Sequence, residues 1–392
     1  MPSNADAYWL ALRRVPGVGP RTCRLLLDKF GSPEKIFALD SREISAAGVP
    51  LKTARAIAAF RDFEPLEKEL CELPRIGARL VRWTDDDYPP NLRHIPDPPP
   101  YLFVRGDAPL ADPKLIAIVG ARSASDAGLR MAERLGFELV AKGFIVVSGL
   151  ARGIDGASHR GALDAGGRTI AVMGCGIDVI YPPEHRALAD AIIAGGGALL
   201  TELPIGVQPL AENFPTRNRI LSGLCLGAVI VEAAEKSGSL ITARMALEQD
   251  RQVFAVPGSP LTGKTRGSNR LIKEGAKLVE CVEDVIEELA PQMAPPARAD
   301  SADATQTQAA NRRSTPGRGV GQSIDEPSSQ SGQVISKEAK ALLTQLNDDQ
   351  KLHVDALIES SGLDAQTVLR LLLELELKGI VAQHPGKLFS LA

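Results

Sequence analysis

The chain has 392 residues, 44% of them hydrophobic and 24% charged, with a formal net charge of −3. These are ordinary values for a soluble globular protein with room for two or three domains. The weakly negative net charge means that any polyanion partner must be held by local positive patches, and an aromatic content of only 4% argues against a surface paved with stacking rings.

The opening residues have no apolar run and no cleavage site, so no secretory signal is expected. The longest apolar stretch, Leu221 to Ala234, is broken by Ser222, two glycines and Glu232, short of the ~18–20 residues of a membrane helix. Five cysteines are widely spaced, with no C-x-x-C pair, as in a protein of a reducing compartment without a disulfide frame or zinc site. These features predict a cytoplasmic protein with no membrane segment, no metal and no cofactor.

Residues 1–74 are predicted to form a small helical domain, with helices over Ala7–Arg14, Pro20–Phe30, Ser32–Ala38 and Leu51–Phe60. Between the first two lies Val15-Pro-Gly-Val-Gly-Pro, a turn of the helix-hairpin-helix kind. Glycine permits the tight turn, and bare N–H groups at a helix start can meet phosphate. Residues 1–60 hold nine Lys/Arg against five Asp/Glu. The hairpin reads equally as a DNA contact or as a structural turn in a protein-binding domain.

Residues 75–290 alternate strand and helix. Candidate strands are Leu115–Val119, Phe144–Val147, Thr169–Met173, Ala198–Thr201, Ala228–Val231, Gln252–Val256 and Lys277–Val279. They are short, apolar and rich in β-branched residues, as buried parallel strands are. Helices such as Ala127–Ala141, Ala157–Ala165 and Leu240–Gln249 lie between them. The predicted fold is a Rossmann-like, doubly wound, mainly parallel α/β sheet with helices on both faces.

In such sheets ligands bind beyond the carboxyl ends of the strands. The first loop there, Val119-Gly-Ala-Arg, offers Gly120 for close backbone approach and Arg122 as a phosphate-binding fork. The second, Ser148-Gly-Leu-Ala-Arg-Gly-Ile-Asp, offers Ser148, Gly149, Arg152 and Gly153 as an anion nest. The third runs from Gly174 to Arg186; the fourth leads to Phe214-Pro-Thr-Arg-Asn-Arg and places Arg217 and Arg219 at a helix start; the fifth passes Glu232 and Lys236. A helix cap explains any one loop taken alone. Their convergence on one edge predicts an extended polyanion site.

Gly258-Ser-Pro-Leu-Thr-Gly-Lys-Thr matches the spacing of a nucleotide-binding P-loop. Gly267 would weaken the helix that should follow, Pro260 stiffens the loop, and little sheet remains for a metal-binding aspartate. The match reads as coincidence. His159 and His185 lack a nucleophile at recognisable spacing, and Asp155 reads as a cap and not a base. No catalytic residue is assigned.

Residues 291–335 are rich in Pro, Ala, Ser, Gln and Gly, the composition of a flexible linker. Residues 336–392 read as a winged-helix domain: helices over Lys337–Leu346, His353–Ser361 and Asp364–Lys378, then two strands around Pro385-Gly. Six Lys/Arg stand against eight Asp/Glu there. Glu374 and Glu376 beside Arg370 favour protein over DNA contact for the third helix.

A set of motifs in order resembles the DNA-processing protein A family, also called Smf. These are Leu102-Phe-Val-Arg-Gly, Val119-Gly-Ala-Arg, Val147-Ser-Gly-Leu-Ala-Arg-Gly-Ile-Asp, Ala157-Ser-His-Arg-Gly-Ala-Leu, Phe214-Pro-Thr-Arg-Asn-Arg, Ser237-Gly-Ser-Leu-Ile-Thr-Ala, Ala255-Val-Pro-Gly-Ser and Gly267-Ser-Asn-Arg-Leu-Ile. The resemblance implies a cytoplasmic bacterial protein, not an enzyme, that binds single-stranded DNA. It further implies a homodimer that helps load RecA during natural transformation. It places the DNA groove at the first two loops, supporting Arg122, Ser148 and Gly149. Gly120-Ala-Arg stands where members often carry Gly-Thr-Arg. A nucleotide-processing enzyme of the lysine-decarboxylase-like group is the alternative, but its P-G-G-x-G-T-x-x-E element is missing: Glu232-Ala-Ala-Glu-Lys-Ser-Gly-Ser stands there.

Overall fold

The computed structural model describes residues 5–293 and, in the tail, residues 343, 345, 352–361, 363, 367, 368, 370–372, 375, 380–384 and 388–391. These fall into two units, one within Met1–Ser301 and one within Ala302–Ala392. The proposed linker lies outside the described residues apart from 291–293, which end a helix.

Six helices open the first unit: α1 (Asp6–Arg14), α2 (Pro20–Phe30), α3 (Pro33–Ala38), α4 (Ser41–Ser45), α5 (Leu51–Ala59) and α6 (Glu64–Glu72). Helices α4 and α6 were not expected. The first is a single turn held by a capping box, in which Asp40 accepts from the Arg42 and Glu43 amides while Glu43 accepts from the Asp40 amide. The second carries only Leu66 and Leu70 as buried residues amid charges, too sparse a stripe to stand out in sequence.

The sheet has nine strands: β1 (Ala78–Arg82), β2 (Tyr101–Gly106), β3 (Leu115–Gly120), β4 (Ile145–Ser148), β5 (Thr169–Val172), β6 (Ala198–Thr201), β7 (Gly227–Val231), β8 (Gln252–Ala255) and β9 (Lys277–Leu278). Their spatial order is β1-β2-β6-β5-β4-β3-β7-β8-β9. From β6 to β9 every pairing is parallel. Strands β1 and β2, which are not among the predicted strands, add an antiparallel hairpin at one edge. The seven predicted strands are all present. Between them run α7 (Pro90–Arg93), α8 (Asp126–Ala141), α9 (Ile154–Asp164), α10 (Arg186–Ala194), α11 (Asn213–Leu224), α12 (Gly238–Glu248), α13 (Arg266–Lys273) and α14 (Val282–Met293).

The chain leaves β3 toward β4 on one side, and β7 pairs with β3 on the other. The carboxyl ends of β3 and β7 therefore flank the switch in strand order, where open α/β sheets form their binding crevice. One face of the sheet does not meet solvent. Tyr101, Phe103, Ala171 and Leu199 share a continuous apolar cluster with Leu10, Leu26, Ile36 and Ile57 of the helical front.

In the tail, β10 (Leu352–His353), β11 (Val381–His384) and β12 (Leu388–Leu391) form a small sheet in the order β10-β12-β11, beside α15 (Val354–Ser361). Strand β10 was not expected; the hairpin of β11 and β12 was. Residues 367, 368, 370–372 and 375 are helical, and Leu357, Val368, Leu371, Leu375 and Phe389 form the core. Asp364, Glu374, Glu376 and Lys378 lie outside the described residues.

Candidate nucleic-acid interface

A cleft of about 640 Å³ opens at the switch point. It is lined by Val119–Ser123 after β3, Ala151 and Asp155 after β4, Phe214 to Leu221 on α11, Lys236 to Thr242 after β7, and Lys264. Four of the five sequence-predicted loops thus contribute to one site. The third reaches it only through Tyr181, whose ring lies 5.8 Å from that of Phe214.

The first loop is pinned at both ends. A Cβ at Gly120 would fall 1.8 Å from the Val231 carbonyl oxygen, so only glycine lets β3 run this close to the end of β7. Ser125 caps α8, accepting from the Gly128 amide at 3.1 Å. Glu232 in turn accepts from the Ser125 amide at 2.8 Å and from its hydroxyl. To do so Glu232 adopts a left-handed backbone, φ 52°, the kind of local strain that a surrounding network must hold in place. Between these anchors Arg122 and Ser123 are exposed. The Arg122 guanidinium lies 5.1 Å from the centre of the Phe214 ring, a cation–π distance, with no carboxylate paired to it among the described residues.

The second loop is built differently. Ser148 is fully buried and donates to the Ile118 carbonyl at 2.6 Å. The Gly149 amide donates to Asp155 Oδ2 at 3.1 Å, and the Ala151 amide to the same oxygen at 3.4 Å. The protein's own carboxylate therefore fills the nest that Ser148 and Gly149 were expected to offer an anion. Gly149 is required because a Cβ there would lie 2.5 Å from Arg217 Nη2 and 2.6 Å from Asp155 Oδ2. Gly153, φ 73°, packs against the first loop: a Cβ would lie 2.2 Å from the Ala121 carbonyl oxygen. Arg152 is exposed and paired with Glu184.

Arg217 and Arg219 point inward from the middle of α11, not outward from its start. Arg217, 6% exposed, donates to the carbonyls of Gly149, at 2.9 Å, and Val172, tying β4, β5 and α11 together beneath the cleft. Burial pushes the Asp155 carboxyl above its ordinary range and draws Arg217 below its own, each opposed by the other's charge. Arg219, 5% exposed, donates from Nη2 to both carboxylate oxygens of Glu202, each at 2.5 Å, and from Nη1 to the Asp97 carbonyl at 2.7 Å. Arg186 is exposed at the start of α10 but does not line the cleft.

The P-loop-like turn is closed on itself. Asn269 donates to the Gly258 carbonyl at 2.8 Å and accepts from its amide at 3.0 Å, while Thr265 donates to the Ser259 carbonyl at 2.6 Å. The helix that follows starts only at Arg266. The turn gives the cleft a single exposed cation, Lys264, which joins exposed Lys236 in its lining. No group of three or more His, Cys, Asp or Glu among the described residues could hold a metal.

Residues 79–290, more than half of the chain, match the family described as DNA recombination-mediator protein A. The chain belongs to that family. Residues 326–387 match the winged-helix domain of this family, and residues 10–62 a SAM-like helix-hairpin-helix tandem. Protein Smf of Escherichia coli is 37% identical over 352 residues, covering 89% of this chain and 86% of that protein. DNA processing protein DprA of Streptococcus pneumoniae is 46% identical over 223 residues, covering 57% of this chain and 77% of that one. An X-ray structure of the same pneumococcal protein overlays with a TM-score of 0.62 at 36% identity, covering 72% of this chain and 97% of its own. The recombination-mediator domain thus supplies the cleft itself, with Arg122, Phe214, Lys236 and Lys264 all inside its span.

Sequence reasoning did not single out Phe214 or Tyr181. The only signal was an aromatic next to a Pro-Thr-Arg-Asn-Arg helix start, in a chain with just sixteen aromatic residues.

Proposed function

We propose that the cleft holds single-stranded DNA without sequence preference and performs no catalysis. The observation that carries this reading is the unpaired Arg122 guanidinium set against Phe214. Around it, exposed Lys236 and Lys264 provide further charge for a phosphate backbone. Phe214, with Tyr181 37% exposed beside it, gives bases a ring to stack on, an interaction worth about 1–3 kcal/mol per base and indifferent to base identity. An acyl- or phosphoryl-transfer site needs an assembled nucleophile and base. Asp155 faces Arg217 and two amides instead, and His159 is enclosed against Thr169.

Membership in a recombination-mediator family supports the further reading that the bound strand is passed to RecA in natural transformation. On this reading the protein works in the cytoplasm as a homodimer, and Arg152 exchanges Glu184 for phosphate when DNA is present. No helix among the described residues is long and apolar enough to cross a membrane.

The test is a titration of the full chain with thymine-only and mixed-sequence oligonucleotides across a tenfold range of salt. Affinity should be similar for the two and fall linearly on logarithmic axes, because releasing counterions into more concentrated salt gains less entropy. Binding that ignores salt, or that discriminates strongly between the oligonucleotides, would overturn the phosphate account.

A further inference from the structure

A second cavity, of about 460 Å³, lies beside the cleft, beyond the carboxyl ends of β7, β8 and β9. Its volume is that of an ordinary small-ligand pocket, ~300–1,000 Å³. Three wall segments are common to the two cavities. Ser123 lines the cleft and Ser125 the second cavity; Ala234 and Glu232 divide in the same way, as do Lys264 and Thr262. Two residues of chain span at most about 7 Å, so a strand lying in the cleft runs close beside the second cavity.

The chemistry of the two is opposite. The lining of the cleft includes Arg122, Lys236 and Lys264. The lining of the second cavity has no Lys, Arg or His and two carboxylates, Glu232 and Glu280. Phosphate is drawn to the first and repelled by the second. Met131, Val231, Val256, Pro257 and Val279 make much of the remaining wall apolar. Glu232 is 9% exposed, and its carboxylate packs on Gly128, where a Cβ would lie 2.6 Å from Cδ. Ser125 donates once to each Glu232 oxygen, and a carboxylate has about four acceptor sites, so acceptor capacity remains. Glu280 is exposed and has no ion pair among the described residues. Thr262 and Thr265 donate within the turn, to the Ser259 carbonyl at 3.1 Å and 2.6 Å. The cavity therefore sets hydrogen-bond acceptors among apolar walls, which suits a flat, uncharged ligand that carries donors.

The uncharged parts of a DNA strand are its bases. Resting on the reading that the cleft holds single-stranded DNA, we infer that the second cavity takes one base turned out of that strand, and that it favours guanine. Guanine presents two neighbouring donors, N1–H and N2–H, to a single carboxylate, a paired contact like that made by a guanidinium fork. Thymine presents one donor between two carbonyls, which the carboxylates repel. Bases turned out of a stack are read in this manner, by hydrogen bonds to the pairing edge and by apolar side chains against the ring. The closed turn from Gly258 to Thr265 then has a use unrelated to nucleotide hydrolysis. It supplies wall to both cavities, and its Leu261, 92% exposed, is an apolar wedge of the kind that fills the gap left in a base stack. The cost of unstacking offsets most of the new contact. The preference is therefore small and confined to one position, and the strand as a whole is still held without regard to sequence.

The experiment titrates the full chain with a thymine-only strand, the same strand with one central guanine, and the same strand with hypoxanthine there, which lacks the 2-amino donor. Guanine should raise affinity about threefold over thymine, the paired contact less the cost of unstacking, and hypoxanthine should give little of that gain. Ala127→Leu places a larger side chain, and a good helix former, at an exposed position of α8 that lines the second cavity. It should erase the guanine gain and leave thymine-only affinity within about twofold, as for a surface substitution outside the cleft. Glu280→Gln should keep part of the gain, because an amide oxygen still accepts from one donor. Thermal melts check folding. No gain from guanine, an equal gain from hypoxanthine, or a gain that survives Ala127→Leu would each overturn the inference. So would saturable binding of free guanosine with no gain inside the strand, which would assign the cavity to a soluble nucleoside. Salt-dependent binding of the thymine-only strand beside any of these results leaves the single-strand reading standing, whereas failure of that strand to bind removes both.

Discussion

Arg122 and Arg219 are residues of the same type, both at the carboxyl edge of one sheet, and they do opposite work. Arg122 stands on a loop anchored on either side of it, so its guanidinium is positioned yet keeps its charge unspent. Arg219 projects from α11 into the body of the fold and spends its charge on Glu202. An arginine near a strand end is therefore a ligand candidate only if the protein has left it unneutralised. Arg217 belongs with Arg219, because carbonyls and Asp155 absorb its donors and charge.

The largest effect should come from the buried side. Arg219→Ala leaves Glu202 in the interior with only the longer contact from Arg13, at 3.9 Å, and breaking such a buried pair costs about 3–5 kcal/mol of stability. Urea unfolding measures this, and the double variant Arg219→Met/Glu202→Met should recover most of the loss. A melt unchanged by Arg219→Ala would break the distinction between the two arginines.

Arg122→Ala should do the reverse. Stability should stay within about 0.5 kcal/mol, as for surface substitutions generally. Losing a charge-assisted contact to phosphate should cost about 1.5–3 kcal/mol, or tenfold and more in single-strand affinity. Arg370→Ala in the tail serves as the comparison in the same titration, with a loss of about twofold or less on the reading that the cleft, not the tail, holds the strand.

A pH effect should also belong to the buried side. His159 is enclosed on α9, and burial lowers its pKa from 6.5 to about 3. Thr169 donates to the Val146 carbonyl, so it accepts from His159 Nδ1–H, and burial keeps the ring neutral. The unfolded chain takes up this proton first. The stabilisation is therefore complete above the unfolded value of 6.5 and is lost as pH falls toward about 3. Between pH 6.5 and pH 5 the loss should be on the order of 1 kcal/mol. His159→Asn, which retains a donor toward Thr169, should flatten that part of the stability profile. A profile identical to wild type would remove His159 as its source.

The smallest effect is expected at Lys264, where alanine should lower single-strand affinity by about twofold, the contribution of one exposed cation among several. An ATPase activity abolished by this change would instead revive the P-loop reading that the closed turn argues against.

The parallel sheet was legible because its strands are buried on both faces and read as unbroken apolar runs. The antiparallel hairpin at the edge was not. In β1 only Ala78 and Val81 are buried, and β2 was read only as a family motif. Within the site, loop positions were legible and side-chain directions were not. Gly149 and Arg217 read as anion-binding residues, yet what decides their role is Asp155, six residues beyond Gly149 and across the loop from α11. Only three-dimensional proximity reveals that the charge is already matched. Phe214 escaped for a related reason, since it acquires meaning from Arg122, ninety-two residues away in sequence.

The apolar cluster joining the helical front to the sheet bears on how this chain can be taken apart. A fragment starting at residue 75 would bare Tyr101, Phe103, Ala171 and Leu199 to water at once, since their cover comes from Leu10, Leu26, Ile36 and Ile57. Such an uncovered face is an aggregation hazard. The front reads in sequence as a domain of its own, yet its packing makes it inseparable from the sheet. Any rearrangement of the gene that removes it must repaint the face it leaves behind.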